Sequence, residues 1–350
     1  MATRADVARV AGVSEAAVSY AISGKRPISD ATRSRIFAAM RDLDYRPNAM
    51  ARGLAGGKSM IIALLFPTRE RGMSNADLEY VLGAANTARE QGYHLMLWPT
   101  DGLDVLEALA LQKGGMIDGV LLMEVQMEDE RVDILVDAGV PLGLIGRTAD
   151  AIPGVVAADR DFERVADRAV AHLADLGHRR IAMIGGSTST VHRRFGAVLR
   201  AENGFEDACR RRGLTPHIFH VDSSVDAGRV LYDDHFAADL EYTGIVAMNA
   251  DAVVGFMAAA QNHGDRIPRE LSVISIGTPD NLVALTVPPL TTISPPARAI
   301  GAAAAKLLIA HIGGAEEAPP PELWEGELEV RGSTGPALQV SPESAEQVTP

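Results

Sequence analysis

DVARVAGVSEAAVSYAISGKRPISDATRSRIFAAM, residues Asp6–Met40, reads as three short helices separated by tight turns. Thr3 caps the first, roughly Arg4 to Ala11, and Val7, Val10 and Ala11 share one of its faces. Gly12 permits a turn, Ser14 caps a second helix running to about Ser23, and Gly24 ends it. Ser29 caps a third, Asp30 to Asp44, with Ile36, Ala39, Met40 and Leu43 on one stripe. Helix, tight glycine turn, helix is the helix-turn-helix pattern.

The second helix has two faces. Ala17, Val18, Ala21 and Ile22 form an apolar stripe, and Glu15, Ala16, Ser19, Tyr20 and Ser23 point away. A helix in the major groove reads bases from its N-terminal residues. Glu15 suits a cytosine amine and Ala16 a thymine methyl, while Tyr20 offers a hydroxyl or a ring one turn later. Ser14 and Ser19 suit phosphate oxygens, which position without specifying. A plain helical hairpin with a solvated polar face has the same spacing, so the following segment carries weight.

After Tyr45 comes Arg46-Pro47-Asn48, then AMARGLAGGKS. Pro47 interrupts the third helix and Asn48 can cap a new one. Ala49 to Leu54 spans only about two turns, and Gly53, Gly56 and Gly57 make it too weak to stand alone. It is expected to be disordered until DNA and a partner chain hold it. Leu54 has the chemistry of a wedge between base steps in the minor groove; a flexible linker with an incidental leucine is the alternative.

Charge follows the same division. The 350 residues carry a net charge of −13, yet residues 1–60 hold ten Arg/Lys against five Asp/Glu. A small basic module is joined to a large acidic body. The chain is 47% hydrophobic and 5% aromatic, which allows a sizeable core and excludes disordered and collagen-like classes. The longest apolar run, Ile300 to Ile312, is broken by Gly301, Lys306 and His311, so no membrane span is expected. MATRADVARV has no secretory pattern, and the expected location is cytoplasmic, nucleoid-associated in a bacterium. Cys209 as sole cysteine excludes an internal disulfide.

From Met60 to about Thr334 apolar strands alternate with amphipathic helices. Strands are expected at Met60–Phe66, Tyr93–Trp98, Gly119–Met123, Pro141–Ile145, Arg180–Ile184, Ile218–Val221, Gly244–Met248 and Leu271–Ile276. Helices are expected at Leu78–Glu90, Glu163–Leu176, Phe205–Arg212 and Ala252–Asn262. This alternation implies α/β architecture, doubly wound parallel sheets covered on both faces. A body of this size exceeds one comfortable core, so two lobes are expected, with ligand at the carboxyl ends of strands between them.

The stretch Asp6 to Ser59 resembles, almost without gaps, the headpiece and hinge of the lactose/galactose repressor (LacI/GalR) family. ADLGHRRIAMIGG, HGDRIPRELSVISIG, PPLTTISPPARAIGAAAAKLL and ELEVRGSTG are similar to stretches of that family's effector domain. The resemblance implies a small all-α helix-turn-helix headpiece, 1–46, a hinge helix and linker, 47–59, and a two-lobed periplasmic-binding-protein-like effector and dimerisation domain, 60–335. One lobe would hold about 60–158 and 290–318, the other about 159–289 and 319–335; the tail, 336–350, is expected to be disordered. By the family pattern, the DNA-binding residues are Thr3, Ser14, Glu15, Ala16, Ser19, Tyr20, Asn48, Ala51, Arg52 and Leu54, the leucine entering the central minor groove. Threonine is frequent in the family where Ala17 stands, and arginine where Tyr20 stands; both departures bear on operator sequence.

The implied function is a ligand-responsive, sequence-specific regulator of transcription, a repressor on a palindromic double-stranded operator as a homodimer. A small-molecule effector, sugar or other metabolite, would sit between the lobes. Candidate ligand residues are Asp77, Arg147, Arg200, Asn249 and Thr278. The family's aromatic stretch after the first strand has no ring here until Tyr80, its Asn-Asp pair at the end of the seventh is Asn249-Ala250 with Asp251 one place later, and its Phe-Asp-Asp after the eighth is Ile276-Gly277-Thr278, so the carboxylates that would hold a sugar are partly missing. An anionic or unusual effector, or none, therefore stays open. Two rival readings are a solute-binding protein with an accessory front module and a sugar-metabolising α/β enzyme. No enzymatic activity, cofactor, metal site or membrane partner is expected: the histidines lack metal spacing, Gly185-Gly186 is not followed by a phosphate-loop Lys, and no GxGxxG occurs. His217 and His220 are expected to be exposed on opposite faces of a strand.

Overall fold

Gly12 takes a left-handed φ of 65°, and helix α1, Arg4–Ala11, ends on it. That turn leads to α2, Glu15–Ser23, and then α3, Asp30–Asp42. These come from a computed structural model that describes residues 2–23, 26–45, 58–67, 73, 75–100, 105–238, 240–264, 266–294, 296–315 and 318–338. The chain divides into two compact units, Met1–Ile61 with Ala110–Asp118, and Ile62–Leu109 with Gly119–Pro350.

In the first unit Val7, Ala8, Ala11, Val18, Ala21, Ile36, Ala39 and Met40 close a small core. Val10, expected on the buried face, is 48% exposed and Ala8 is buried in its place. Helix α1 lies against both α2 and α3, which turns its buried face toward Ala8. Helix α3 stops at Asp42 because Leu43 caps it and Asp44 turns left-handed at φ 44°. At the unit's far end the Asp118 carboxylate accepts three bonds, from Ser59 N–H (2.7 Å), Ser59 Oγ (2.8 Å) and Met60 N–H (2.9 Å). They hold Met60 at a φ of 61° just before the first strand.

The second unit contains two six-stranded sheets. The first is built from β1 (Ile61–Pro67), β2 (His94–Thr100), β3 (Gly119–Met123), β4 (Leu142–Ile145), β5 (Val156–Arg160) and a late strand, β11 (Glu322–Trp324). Their order is β11-β5-β4-β3-β1-β2. The pairs β1–β3, β3–β4, β4–β5 and β5–β11 are all parallel. The second is built from β6 (Ile181–Ile184), β7 (His217–Phe219), β8 (Gly244–Ala247), β9 (Ser272–Ser275), β10 (Thr291–Ser294) and β12 (Glu327–Glu329), in the order β12-β10-β9-β8-β6-β7. Only β12 runs antiparallel to its neighbour. Central strands such as LLM in β3 and IAMI in β6 are buried throughout, as expected for sheets covered on both faces.

The helices around the first sheet are α4 (Asn75–Glu90), α5 (Val105–Lys113), α6 (Glu130–Asp137) and α13 (Ala297–Ile312). Helices α4 and α13 touch along their backbones: a Cβ on Gly301 would stand 2.0 Å from the Tyr80 carbonyl oxygen, and one on Gly83 1.9 Å from that of Arg298. Any side chain there would force the helices apart and shift Tyr80. Around the second sheet lie α7 (Phe162–Asp175), α8 (Thr188–His192), α9 (Gly196–Arg211), α10 (Val225–His235), α11 (Ala250–Asn262) and the short α12 (Asp280–Val283). Phe162, Val170, Phe205 and Cys209 fill one face of this sheet, Tyr232, Phe236 and Phe256 the other.

The chain passes between lobes after β5, after β10 and after β11. This moves two expected boundaries. Thr291–Ser294 belongs to the second lobe, because Ile293 is fully buried in its core and β10 pairs with β9. Glu322–Trp324 belongs to the first, because β11 pairs with β5. Of the tail expected to be disordered, the first residues are tied down, Ala337 N–H donating to Leu176 O at 2.8 Å, while 339–350 lie outside the described residues. Strands β5, β10, β11 and β12 were not expected from the sequence.

Candidate nucleic-acid interface and inter-lobe cleft

Helix α2 owes its start to Ser14, whose Oγ accepts from Ala17 N–H at 3.1 Å. Ser14, Glu15 and Ala16 are exposed, Ser19 and Tyr20 half-buried, and Val18 completely buried. The apolar stripe thus fixes the helix and turns the polar residues to solvent. Glu15 pairs with Arg4 at 3.4 Å across an exposed surface, a contact weak enough to be exchanged. The Arg26 guanidinium lies 5.3 Å from the centre of the Tyr20 ring. Thr3 is a cap first: Asp6 N–H donates to its Oγ1, and the hydroxyl donates to Asp6 Oδ2 at 2.7 Å. Those bonds hold the Asp6 carboxyl below its ordinary range. The remaining DNA candidates, Asn48, Ala51, Arg52 and Leu54, lie outside the described residues.

In the second unit, residues at the carboxyl ends of β4, β5 and β9 meet. Arg147 follows β4, Asp159 and Arg160 end β5, and Gly277 and Thr278 follow β9. Arg147 Nη2 donates to Glu163 Oε2 at 2.8 Å, and its Nε lies 3.4 Å from Asp159 Oδ2. Arg200, from α9, is 3% exposed; it donates to the carbonyls of Arg147 (3.0 Å) and Thr148 (2.6 Å) and stands 3.7 Å from Glu163. A second-lobe helix thus holds the turn after a first-lobe strand. Backbone bonds run alongside, from Met127 N–H to Arg194 O (2.9 Å) and from Gly196 N–H to Val125 O (3.0 Å).

Burial dominates the electrostatics here. It pushes the Asp159 carboxyl up to about 6, against the pull of Arg147 and Arg200. Burial also lowers Arg200, and the neighbouring Arg147 adds to that. Arg160, 7% exposed, lies over Tyr80 and Phe162, 5.6 and 5.9 Å from their ring centres. Its Nε is buried with no hydrogen-bond acceptor among the described residues.

The five expected ligand residues divide. Arg147 and Arg200 belong to one network. Asp77 lies one turn before Tyr80 on α4; burial raises that phenol against the pull of Arg160, and Asp77 adds a minor push. Asn249 is a helix cap: its Oδ1 accepts from Ala252 N–H (3.2 Å) and its Nδ2 donates to Val221 O (3.1 Å). Thr278 is fully buried with its hydroxyl 2.6 Å from Ser275 Oγ. Both side chains are thus engaged within the second lobe. Sequence reasoning missed Asp159, Arg160, Glu163 and Tyr80. The available signal was the DRDFE stretch, Asp159–Glu163, where charges sit on a strand end that the fold buries.

Both strand histidines are exposed, as expected. His217 stacks 5.2 Å from Tyr242, and His220 sits 3.3 Å from Glu202, a carboxylate only 7% exposed whose acidity burial weakens. Among the described residues no three His, Cys, Asp or Glu are placed to hold a metal, and no helix is long and apolar enough to cross a membrane.

Comparison with known proteins matches both parts of the chain. Residues 3–48 match the model of bacterial regulatory proteins of the lacI family, and residues 170–334 that of a periplasmic binding protein-like domain. The HTH-type transcriptional repressor PurR of Vibrio cholerae is 30% identical over 323 residues, 89% of this chain and 92% of that protein. The HTH-type transcriptional regulator AglR of Rhizobium meliloti is 29% identical over 354 residues, 96% of this chain and 95% of that protein. The solved complex of the transcriptional regulator CelR with cellobiose superposes with a TM-score of 0.68 at 26% identity, covering 95% of this chain and 100% of that one. The Lac repressor dimer bound to operator and an anti-inducer shares the fold, with a TM-score of 0.80 at 23% identity over 95% of this chain and 99% of that one. A helix-turn-helix unit, a two-sheet body and relatives that match nearly end to end place this chain in the lacI family of bacterial regulatory proteins, as a transcriptional regulator rather than an enzyme.

Proposed function

We propose that the protein is a repressor that binds a palindromic operator as a homodimer and releases or tightens its grip when a small molecule enters the inter-lobe cleft. In this reading the segment around Leu54 forms paired hinge helices only on DNA, and Ser14, Glu15, Ala16, Ser19 and Tyr20 face the major groove, with Thr3, Asn48, Ala51 and Arg52 beside it. One headpiece offers few base contacts, and two on a palindrome roughly double the binding free energy. Domain limits of 1–46, 47–59 and 60–335 follow from the same reading. So does a cytoplasmic, nucleoid-associated location.

The observation that carries the reading is the polar join between lobes. Arg200 reaches from the second lobe to two first-lobe carbonyls beside Asp159 and Glu163. A ligand that exchanges those bonds prefers one lobe arrangement, and about 2.7 kcal/mol of preference shifts DNA affinity about 100-fold.

Gel shift of the full chain on palindromes from its own upstream region tests this, with sedimentation to count chains per site. The expected result is two chains per palindrome, with binding that falls steeply with salt as counterions are released. Leu54→Ala is expected to weaken operator binding far more than non-specific binding; equal losses would remove the wedge, and one chain per site would remove the dimer.

A further inference from the structure

Among the described residues Arg160 lies at the lobe join with the Tyr80 hydroxyl as a side-chain hydrogen-bond partner but without a carboxylate. Among the described residues no carboxylate oxygen comes within 4.0 Å of its guanidinium, while Arg147 and Arg200 both have such partners. Its Nε is sealed from solvent without an acceptor. Leaving a guanidinium buried in this way is unfavourable unless something completes it. Its surroundings hold it in one orientation. The rings of Tyr80 and Phe162 stack on it from the first lobe's helix and from the start of α7. From the second lobe Gly277 leaves it room: a Cβ there would stand 2.6 Å from Arg160 Nη1. Near it, three guanidinium groups, Arg147, Arg160 and Arg200, face two carboxylates engaged in ion pairs, Asp159 and Glu163, with Asp77 beyond Tyr80.

The geometry points to an effector that carries a carboxylate or phosphoryl group, bound by the Arg160 fork against the Tyr80 ring. This rests on the cleft reading above and narrows it to anionic metabolites. A planar, pre-oriented guanidinium recognises such oxyanions through paired, charge-assisted bonds. Because Arg160 ends a first-lobe strand and lies against second-lobe Gly277, an anion held there touches both lobes and couples its binding to their arrangement.

The test is calorimetric titration of the full chain with matched sets: glucose, gluconate and glucose 6-phosphate; glycerol, glycerate and glycerol 3-phosphate. At least one anion is expected to bind roughly 10- to 100-fold more tightly than its neutral parent, the factor of one charge-assisted contact. Arg160→Gln is expected to lose about the same factor, and Arg160→Lys to fall between, since it keeps the charge without the fork. Arg160→Lys also serves if the glutamine variant does not fold. Neutral parents that bind as well as their anions, with no loss in the Arg160 variants, would overturn the proposal and leave the cleft reading standing. Failure of every member to bind also overturns it. The cleft reading itself falls only if a metabolite extract leaves operator affinity unchanged as well.

Discussion

The polar face of α2 and the join between lobes are both charged surfaces, built by opposite means. On α2 the side chains Ser14, Glu15 and Ala16 are exposed, and what fixes them is local: a cap bond three residues long and one exposed ion pair. At the join, Arg200 is 3% exposed and finds its acceptors 53 and 52 positions back along the chain. A surface that must meet a solvated, highly charged duplex keeps its own groups solvated. A surface at a join between lobes holds its charges out of water, so they have to satisfy one another. The first arrangement costs little to keep and little to change; the second binds the lobes together through every member.

Removing Arg200 tests that contrast most severely. Arg200→Ala strands the carbonyls of Arg147 and Thr148 and takes a cation from Glu163 and Asp159. Breaking a buried charged contact from one side costs on the order of 3–5 kcal/mol. Urea unfolding of the full chain is expected to register a loss of that size, while exposed Glu15→Ala stays within about 0.5 kcal/mol. A loss below about 1 kcal/mol for Arg200→Ala would mean that water already penetrates the join and that the two surfaces are alike.

Next in size is the pH response of Asp159. Burial lifts its carboxyl from 3.8 to about 6, so the folded chain holds this proton more tightly than the unfolded chain does. The stability it contributes is complete below about pH 4 and is lost as pH rises through about 6. Two pH units correspond to about 2–3 kcal/mol, and Asp159→Asn is expected to remove that slope. The comparison is between the two proteins' unfolding free energies at pH 4.5 and pH 7. A wild type that gains stability over this range relative to Asp159→Asn would show that Arg147 and Arg200 outweigh burial.

How much of this was legible beforehand follows from the same distinction. The headpiece could be read almost residue by residue, because caps at Thr3, Ser14 and Ser29 and a stripe at Val18 and Ala21 are short-range signals. Even there, Val10 was misplaced: one helix periodicity cannot say that α1 has two neighbours rather than one. In the body, runs such as Gly119–Met123 announced themselves by composition alone. Strand β5, VAADR, did not, because it is short, alanine-rich and ends in two charges. Those charges lie at the lobe join. A charged pair on a buried strand end contradicts local propensity, and only the distant partners Arg147, Tyr80 and Gly277 make sense of it. Asn249 and Thr278 show the converse: chosen for their positions near strand ends, they are engaged by local hydrogen bonds that the sequence did not announce.

On the α2 side, Glu15→Ala and Tyr20→Ala are expected to relax preference at one base pair per half-site, by about 1–3 kcal/mol of discrimination, with stability unchanged for exposed Glu15 and somewhat lowered for half-buried Tyr20. A panel of operator mutants scored by gel shift measures this. Unchanged preference for both variants would take them out of the readout set, and the exposed face of α2 would then serve position rather than sequence.

The smallest expected effect decides on which side of the contrast Asn249 falls. As a cap, its Oδ1 satisfies Ala252 N–H at the start of α11, and its Nδ2 ties that start to the Val221 carbonyl after β7. Asn249→Asp keeps the acceptor and adds a negative charge where the helix dipole favours one, which offsets the repulsion of a carboxylate oxygen that faces the Val221 carbonyl in place of the lost donor. The helix therefore survives, and the net cost in urea unfolding is about 1 kcal/mol, the worth of one hydrogen bond. If the side chain is spent on the fold, effector affinity stays within about twofold. If it contacts the effector, a new carboxylate repels an anion and affinity falls by tenfold or more, a change of about 1.4 kcal/mol. Stability and affinity move independently in these two cases, so one variant measured both ways separates a cap that happens to lie near the cleft from a residue that belongs to it.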